Sequence, residues 1–168
     1  MADPAAAPGR VGLRVIAAAI LSVAALAGAV GWLGYRDHQV HQAQDQRESY
    51  VRVARQAAIN LTTISYAQAD ADVQRIIDAT TGEFRDDFAA RSRPFLDVVR
   101  QAQSESEGTV TEAGLESVDG DRAEVLLAVS VRTTIAGTLQ PEPRHWRMRI
   151  SLQGTDEGPK VSNIGFVQ

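Results

Sequence analysis

At 168 residues, 44% hydrophobic and 23% charged, with a formal net charge of −4, the chain has room for one membrane segment and one ordinary domain. That composition excludes a disordered chain and a multi-span transporter. From residue 36 onward there are 15 basic and 20 acidic residues, a balance that argues against nucleic acid as a main partner. The lack of cysteine removes disulfides, thiolate metal sites and cysteine nucleophiles, and leaves the redox compartment open.

Residues 15–35 contain no charged side chain and are bracketed by Arg14 and Arg36. This matches the roughly 20 helical residues that cross a hydrocarbon core. Trp32 and Tyr35 stand at its end, where amphipathic rings favour the headgroup layer. A transmembrane helix is expected. A cleaved signal peptide ending near Ala25-Leu26-Ala27 is the rival, but the apolar run outlasts the usual core of about 7–15 residues. Arg10 and Arg14 before the span nearly balance Arg36 and Arg47 after it, so the positive-inside count is close to a tie. The expected arrangement is a cytoplasmic tail over residues 1–14, with everything after the span exported to the periplasmic side of the inner membrane. Ala24 with Gly28, and Ala27 with Gly31, are small-xxx-small pairs that permit contact with another membrane helix. An alanine-rich chain also produces such pairs by chance.

After the span the pattern becomes amphipathic. Val40, Ala43, Tyr50, Ala54, Ala57, Leu61 and Ile64 recur at helical spacing, which predicts one long juxtamembrane helix over residues 36–64. Small and acidic residues interrupt it from Tyr66 to Asp72. A short second helix follows, with Val73, Ile76 and Ile77 on one face. Thr80-Thr81-Gly82-Glu83 reads as a break and restart whose hydroxyls can cap the next helix. That helix presents Phe84 and Phe88, then Phe95, Val98, Val99 and Ala102, and Pro94 between the groups predicts a kink or a split.

From Gly108 the apolar period becomes two. Asp119-Gly120 signals a hairpin between the first two strands. The second strand sets Val125, Leu127, Val129, Val131 and Ile135 against Arg122, Glu124, Ser130 and Arg132. The third sets Trp146, Met148, Ile150 and Leu152 against His145, Arg147, Arg149 and Ser151. A last strand over residues 160–167 offers Ile164 and Phe166. Helices first and one-sided strands second specify an α+β fold. Residues 65–168, continuous with the long helix, are expected to form a cone-shaped nuclear-transport-factor-2-like domain, helices packed on a curved antiparallel sheet.

The segments Leu61-Thr62-Thr63-Ile64-Ser65-Tyr66, Ala69-Asp70-Ala71-Asp72-Val73 and Thr81-Gly82-Glu83-Phe84-Arg85-Asp86-Asp87-Phe88 resemble the Mce-associated membrane proteins of mycobacteria and related actinobacteria. So do Asp119-Gly120-Asp121-Arg122-Ala123, His145-Trp146-Arg147-Met148-Arg149 and the closing Lys160-Val161-Ser162-Asn163-Ile164-Gly165-Phe166-Val167. The order and spacing of these segments carry the resemblance, which covers nearly the whole chain. Pro159 departs from it where the family often has Trp, and Gly165 where it often has an acidic residue. The resemblance implies a single-span inner-membrane protein whose periplasmic domain is similar to the assembly factors of type IV secretion. It also implies partners: Mce complex proteins and their permease, which import lipids across the envelope.

Chemistry is sparse. His38 and His41, beside Asp37 and Asp45, lie one turn apart but lack a third ligand. Asp70 and Asp72 form an acidic pair that reads most simply as a helix start, although an Asp facing a His or Tyr inside a cone can act as a general base. No phosphate-cradling glycine loop and no serine-hydrolase elbow occur. No catalytic, cofactor or metal residues are therefore expected. Arg132, Arg147 and Arg149 form a candidate basic stripe for docking a partner, with a solvated face as the plainer meaning. Three functions remain open. The first is a non-catalytic accessory subunit beside a lipid importer, in contact with membrane lipids. The second is a tethered lipid- or sterol-binding module lined by Phe84, Phe88, Val129 and Trp146. The third is a cone-fold enzyme using Asp72.

Overall fold

A helix, α1, runs to residue 62 at the head of the domain; the computed structural model describes residues 44–167. The expected tail and span, with Ala24, Ala27, Gly28 and Gly31, and the His38/His41 pair lie outside the described residues. Tyr50, Ala54, Ala57 and Ala58 are buried along one stripe of α1, and the three alanines let the helix axis approach the sheet closely. The helix stops two residues short of the predicted end. The Thr62 hydroxyl donates back to the Ala58 carbonyl at 2.6 Å, a bond characteristic of Thr in a last helical turn. Ile64, expected in the helix, instead opens β1 (Ile64–Ser65) and pairs with Ser106. The chain crosses there because β2 has Gly108: a Cβ at that position would stand 2.6 Å from the Thr62 Cβ.

Helix α2 (Ala69–Asp78) buries Ala69, Asp72, Val73 and Ile76. Helix α3 (Gly82–Gln101) rules out the split at Pro94 and revises the expected buried face. It continues unbroken through Pro94 over 20 residues, and its buried side chains are Leu96 and Val99, whereas Phe95 is 41% and Val98 64% exposed. Thr81 takes the N-cap position with extended dihedrals, but its side chain makes no cap bond. The Thr80 hydroxyl donates backwards, to the Ile77 carbonyl at 2.8 Å. The two helices and β1 enclose a small core of Ile64, Ala69, Val73, Ile76, Leu96 and Val99.

The sheet is antiparallel, in the order β1-β2-β3-β5-β6. Its long strands are β2 (Ser104–Asp119), β3 (Arg122–Ile135), β5 (Arg144–Thr155) and β6 (Gly158–Phe166), and β4 (Thr138–Leu139) folds back on the end of β3. The expected hairpin closes with Asp119 opposite Arg122 and Gly120 at φ 59°, a dihedral that glycine adopts without strain. The inner face carries Val125, Leu127, Val129 and Val131 from β3, Met148, Ile150 and Leu152 from β5, and Val161 from β6, all buried against α1. Ile135 was expected among them but runs past the pairing with β5 and is exposed.

Bulges set the faces of the outer strands. One between Ser151 and Leu152 on the β5–β6 ladder brings Val161 to the core side ahead of Ile164 and Phe166. Phe166 lies near the end of that row and stays exposed, meeting Trp146 edge-on at 5.7 Å and 86°. Two more in β2, at Thr111 and Glu116, interrupt the open edge of that strand beyond the short β1. Bulges and acidic residues on an edge oppose pairing with another sheet edge.

Candidate functional site

The register aligns the outward side chains of the sheet in rows. One row reads Glu112, Ala128, Arg147; the next Gly114, Leu126, Arg149, Gly165; the third Ser117, Glu124, Ser151, Asn163. Arg147 and Arg149 are therefore neighbours on one face, as their spacing required. Arg132 is not with them: it sits opposite Glu107, beyond the end of the ladder with β5.

The stripe is also not simply basic. Arg149 reaches across β3 to Glu116 of β2, with Nε and Nη2 donating to the two carboxylate oxygens at 2.7 and 2.9 Å. The hydrogen bonds that Arg149 donates to Glu116, then the Glu116 charge, hold the guanidinium above its ordinary pKa, and the Glu124 charge adds to the effect. Glu124 itself has a buried Oε2 with no hydrogen-bond partner among the described residues. Glu112, Gly114, Leu126, Ala128, Arg147 and Val167 frame a shallow groove of about 490 Å³ beside this pair. Glu112, Gly114, Glu116 and Leu126 were not singled out in the sequence. The available signal was the broken alternation at Val110-Ala113 and Leu115-Val118, where a period of two slips by one.

Arg132 instead lines a polar cleft of about 570 Å³ with Asp72, Arg75, Glu105, Glu107 and Thr134. Asp72 is almost wholly buried there and fully engaged. Its Oδ2 accepts the Ser65 backbone N–H at 2.9 Å, and its Oδ1 accepts Arg75 at 2.6 Å. Asp70 pairs with Arg100 at the helix surface. His145, the histidine of the described residues, sits in the outer row opposite Ser130, so neither imidazole nor phenol shares the cleft with Asp72. Among the described residues no cluster of His, Asp and Glu is placed to hold a metal.

The four side chains proposed to line a lipid cavity do not enclose one space. Val129 lies in the sheet core, with Phe84 and Trp146 packed against it, whereas Phe88 packs against the helical core. Phe84 and Phe88 stack at 6.2 Å. A different cavity, about 200 Å³, opens between the helices and the sheet, with Leu61, Phe95, Val99, Val131 and Trp146 on its walls and Arg144 among its lining.

Residues 11–168 match a family described as "Uncharacterized protein Rv1363c/MT1408-like". One relative, "Uncharacterized protein Rv1363c" of Mycobacterium tuberculosis (strain ATCC 25618 / H37Rv), is 35% identical over 154 residues, which cover 90% of this chain and 58% of the relative. The chain thus spans little more than half the length of the relative. Among solved structures, an IcmL-like type IV secretion system protein from Legionella pneumophila superposes with a TM-score of 0.61 at 14% identity, covering 72% of this chain and 91% of that one. The periplasmic domain of DotI gives 0.58 at 18% identity, covering 70% and 92%. At these identities the likeness concerns the fold: helices against a curled antiparallel half-barrel sheet, as in nuclear-transport-factor-2-like type IV secretion proteins.

Proposed function

The chain belongs to the Rv1363c/MT1408-like family, and from that premise we propose that it is a non-catalytic accessory or stabilising subunit of an Mce-type lipid import complex. In this reading a single span at residues 15–35 holds it in the inner membrane. The domain stands on the periplasmic side, and its partners are Mce proteins, their permease and membrane lipids.

One observation carries the interaction reading: the distribution of uncommitted chemistry over the two faces of the sheet. The inner face is filled by packed aliphatic side chains, and Asp72, the best candidate for a general base, is engaged by Ser65 and Arg75. The outer face carries Glu112 and Arg147, which make no ion pair among the described residues, over a low floor of Gly114, Leu126 and Ala128, with the unpartnered Glu124 Oε2 nearby. Side chains of that kind suit recognition of another surface. The importer link draws on the segments from Leu61 to Phe88 and from His145 to Val167 that resemble Mce-associated proteins, and the periplasmic placement on the likeness to the DotI domain.

The test is affinity purification of the tagged full-length protein from its native host in mild detergent, followed by mass spectrometry. Recovery of Mce proteins and their permease supports the reading. Purification alone from well-solubilised membranes overturns it. A second reading, a tethered lipid- or sterol-binding module, is favoured by the small cavity at Trp146, whose apolar walls and Arg144 suit one end of an anionic amphiphile. Native mass spectrometry separates the two: co-purified lipid supports the binder, and a bare mass disfavours it.

A further inference from the structure

We propose that the outer face of the sheet docks a second copy of this chain, about a two-fold axis running along β3 above Ala128 and Leu126. The proposal builds on the reading of this face as a contact surface and is independent of the importer link.

It starts from two glycines. Gly114 and Gly165 flank Leu126 and Arg149 in one row. Neither has a positive φ, and a Cβ on either would meet nothing within 4 Å. Among the described residues no turn and no packing calls for glycine there. A glycine inside a strand is destabilising relative to other residues. It is expected where another backbone or ligand comes close. With Ala128 in the adjacent row, the glycines leave a low floor from which Leu126 projects, 36% exposed.

The charges beside this floor are complementary to themselves. Glu112 and Arg147 stand one strand to either side of Ala128, and among the described residues neither makes an ion pair. A two-fold axis along β3 exchanges the two flanks, so each Glu112 faces the partner's Arg147 and the ion pair forms twice. In the next row the same rotation sets each Arg149 over the partner's Gly114, where the missing side chain leaves room. Leu126 and Ala128 meet their own copies on the axis. One row further, Glu124 would face itself, and like charges directly opposed repel. The contact is therefore centred on the Ala128 and Leu126 rows and ends before Glu124. An external acidic partner would satisfy Arg147 but leave Glu112 opposed, whereas a second copy satisfies both.

The test uses the full-length chain in its membrane. The sequence has no cysteine, so Ala128→Cys places a single thiol on the proposed axis, and a short bis-maleimide reports a dimer as a covalent band. The band is expected in this background. Adding Glu112→Arg or Arg147→Glu alone turns two attractions into two repulsions and should reduce it about tenfold or more. Co-expressing the two charge variants, differently tagged, restores opposite charges at both positions, and the mixed dimer should return while each like-with-like dimer stays weak. Two misfolded variants could not rescue one another. No band from the Ala128→Cys chain, or equal bands in all charge combinations, overturns the proposal. Importer recovery in the purification test is read separately.

Discussion

Among the acidic residues, Asp72 is the one whose burial gives it energetic weight. Its side chain is 7% exposed where it meets Arg75, and it ties the first turn of α2 to the Ser65 amide of β1. Charge-assisted hydrogen bonds made out of contact with water contribute more than those on a surface. Asp72→Asn keeps the shape but loses the charge, turns one accepting oxygen into a donor and leaves either Ser65 N–H or Arg75 without a proper partner. A loss of about 1–3 kcal/mol follows from leaving such a group unsatisfied. A denaturant melt of the variant checks this, and an unchanged midpoint would show that Asp72 is not a structural fixture. The Arg149–Glu116 pair is weaker in energy, because its side chains are 45% and 35% exposed and solvent screens them. The position of Asp72 at a helix start was legible from Ala-Asp-Ala-Asp. Its partnership with a strand amide was not, since β1 is two residues long and leaves no periodic trace.

At the scale of elements, type was readable and interruption was not. The inward residues of β3 and β5 follow strict alternation, and Val125 to Val131 and Met148 to Leu152 are buried as that alternation requires. The bulged strands, β2 and β6, defeat a fixed period of two: Val161 is buried three residues before Ile164 because Ser162 is the extra residue of the ladder. At Pro94 the split that the sequence offered does not occur. A proline removes one backbone N–H and crowds the carbonyl one turn earlier, yet α3 passes through it, with Leu96 and Val99 beyond it packed against α2. Tertiary burial of that last turn outweighs the local penalty. Pro94 is itself exposed, so Pro94→Ala restores the helix bond without disturbing a contact. Alanine is favoured over proline in a helix interior by about 3 kcal/mol, offset in part by the freer unfolded chain, so a net gain of about 1–2 kcal/mol is expected. A higher melting midpoint confirms it, and a loss of stability would mean that Pro94 makes a contact of its own.

For the whole molecule, the α+β plan of helices before strands was legible, and so was the one-sided sheet; the placement of sites was not, because it depends on which rows the bulges bring into line. The same plan makes α1 part of the domain. Tyr50, Ala54, Ala57 and Ala58 supply the helical side of the main core and cover Val125, Leu127, Met148 and Ile150. Without α1 those strands would present a contiguous apolar face well beyond the few hundred Å² that a soluble monomer tolerates. A chain starting at residue 63 should therefore fail to fold cooperatively and should aggregate. A chain starting at residue 45 keeps the helix and all the side chains it buries, and should unfold in one step. Trp146 is then its sole tryptophan, since the other of the two is Trp32, and it sits against the sheet core with Phe166 edge-on. Its fluorescence and the far-ultraviolet circular dichroism should trace the same denaturation curve. A cooperative transition in the shorter chain would instead mean that the sheet closes its inner face with α2 and α3 alone.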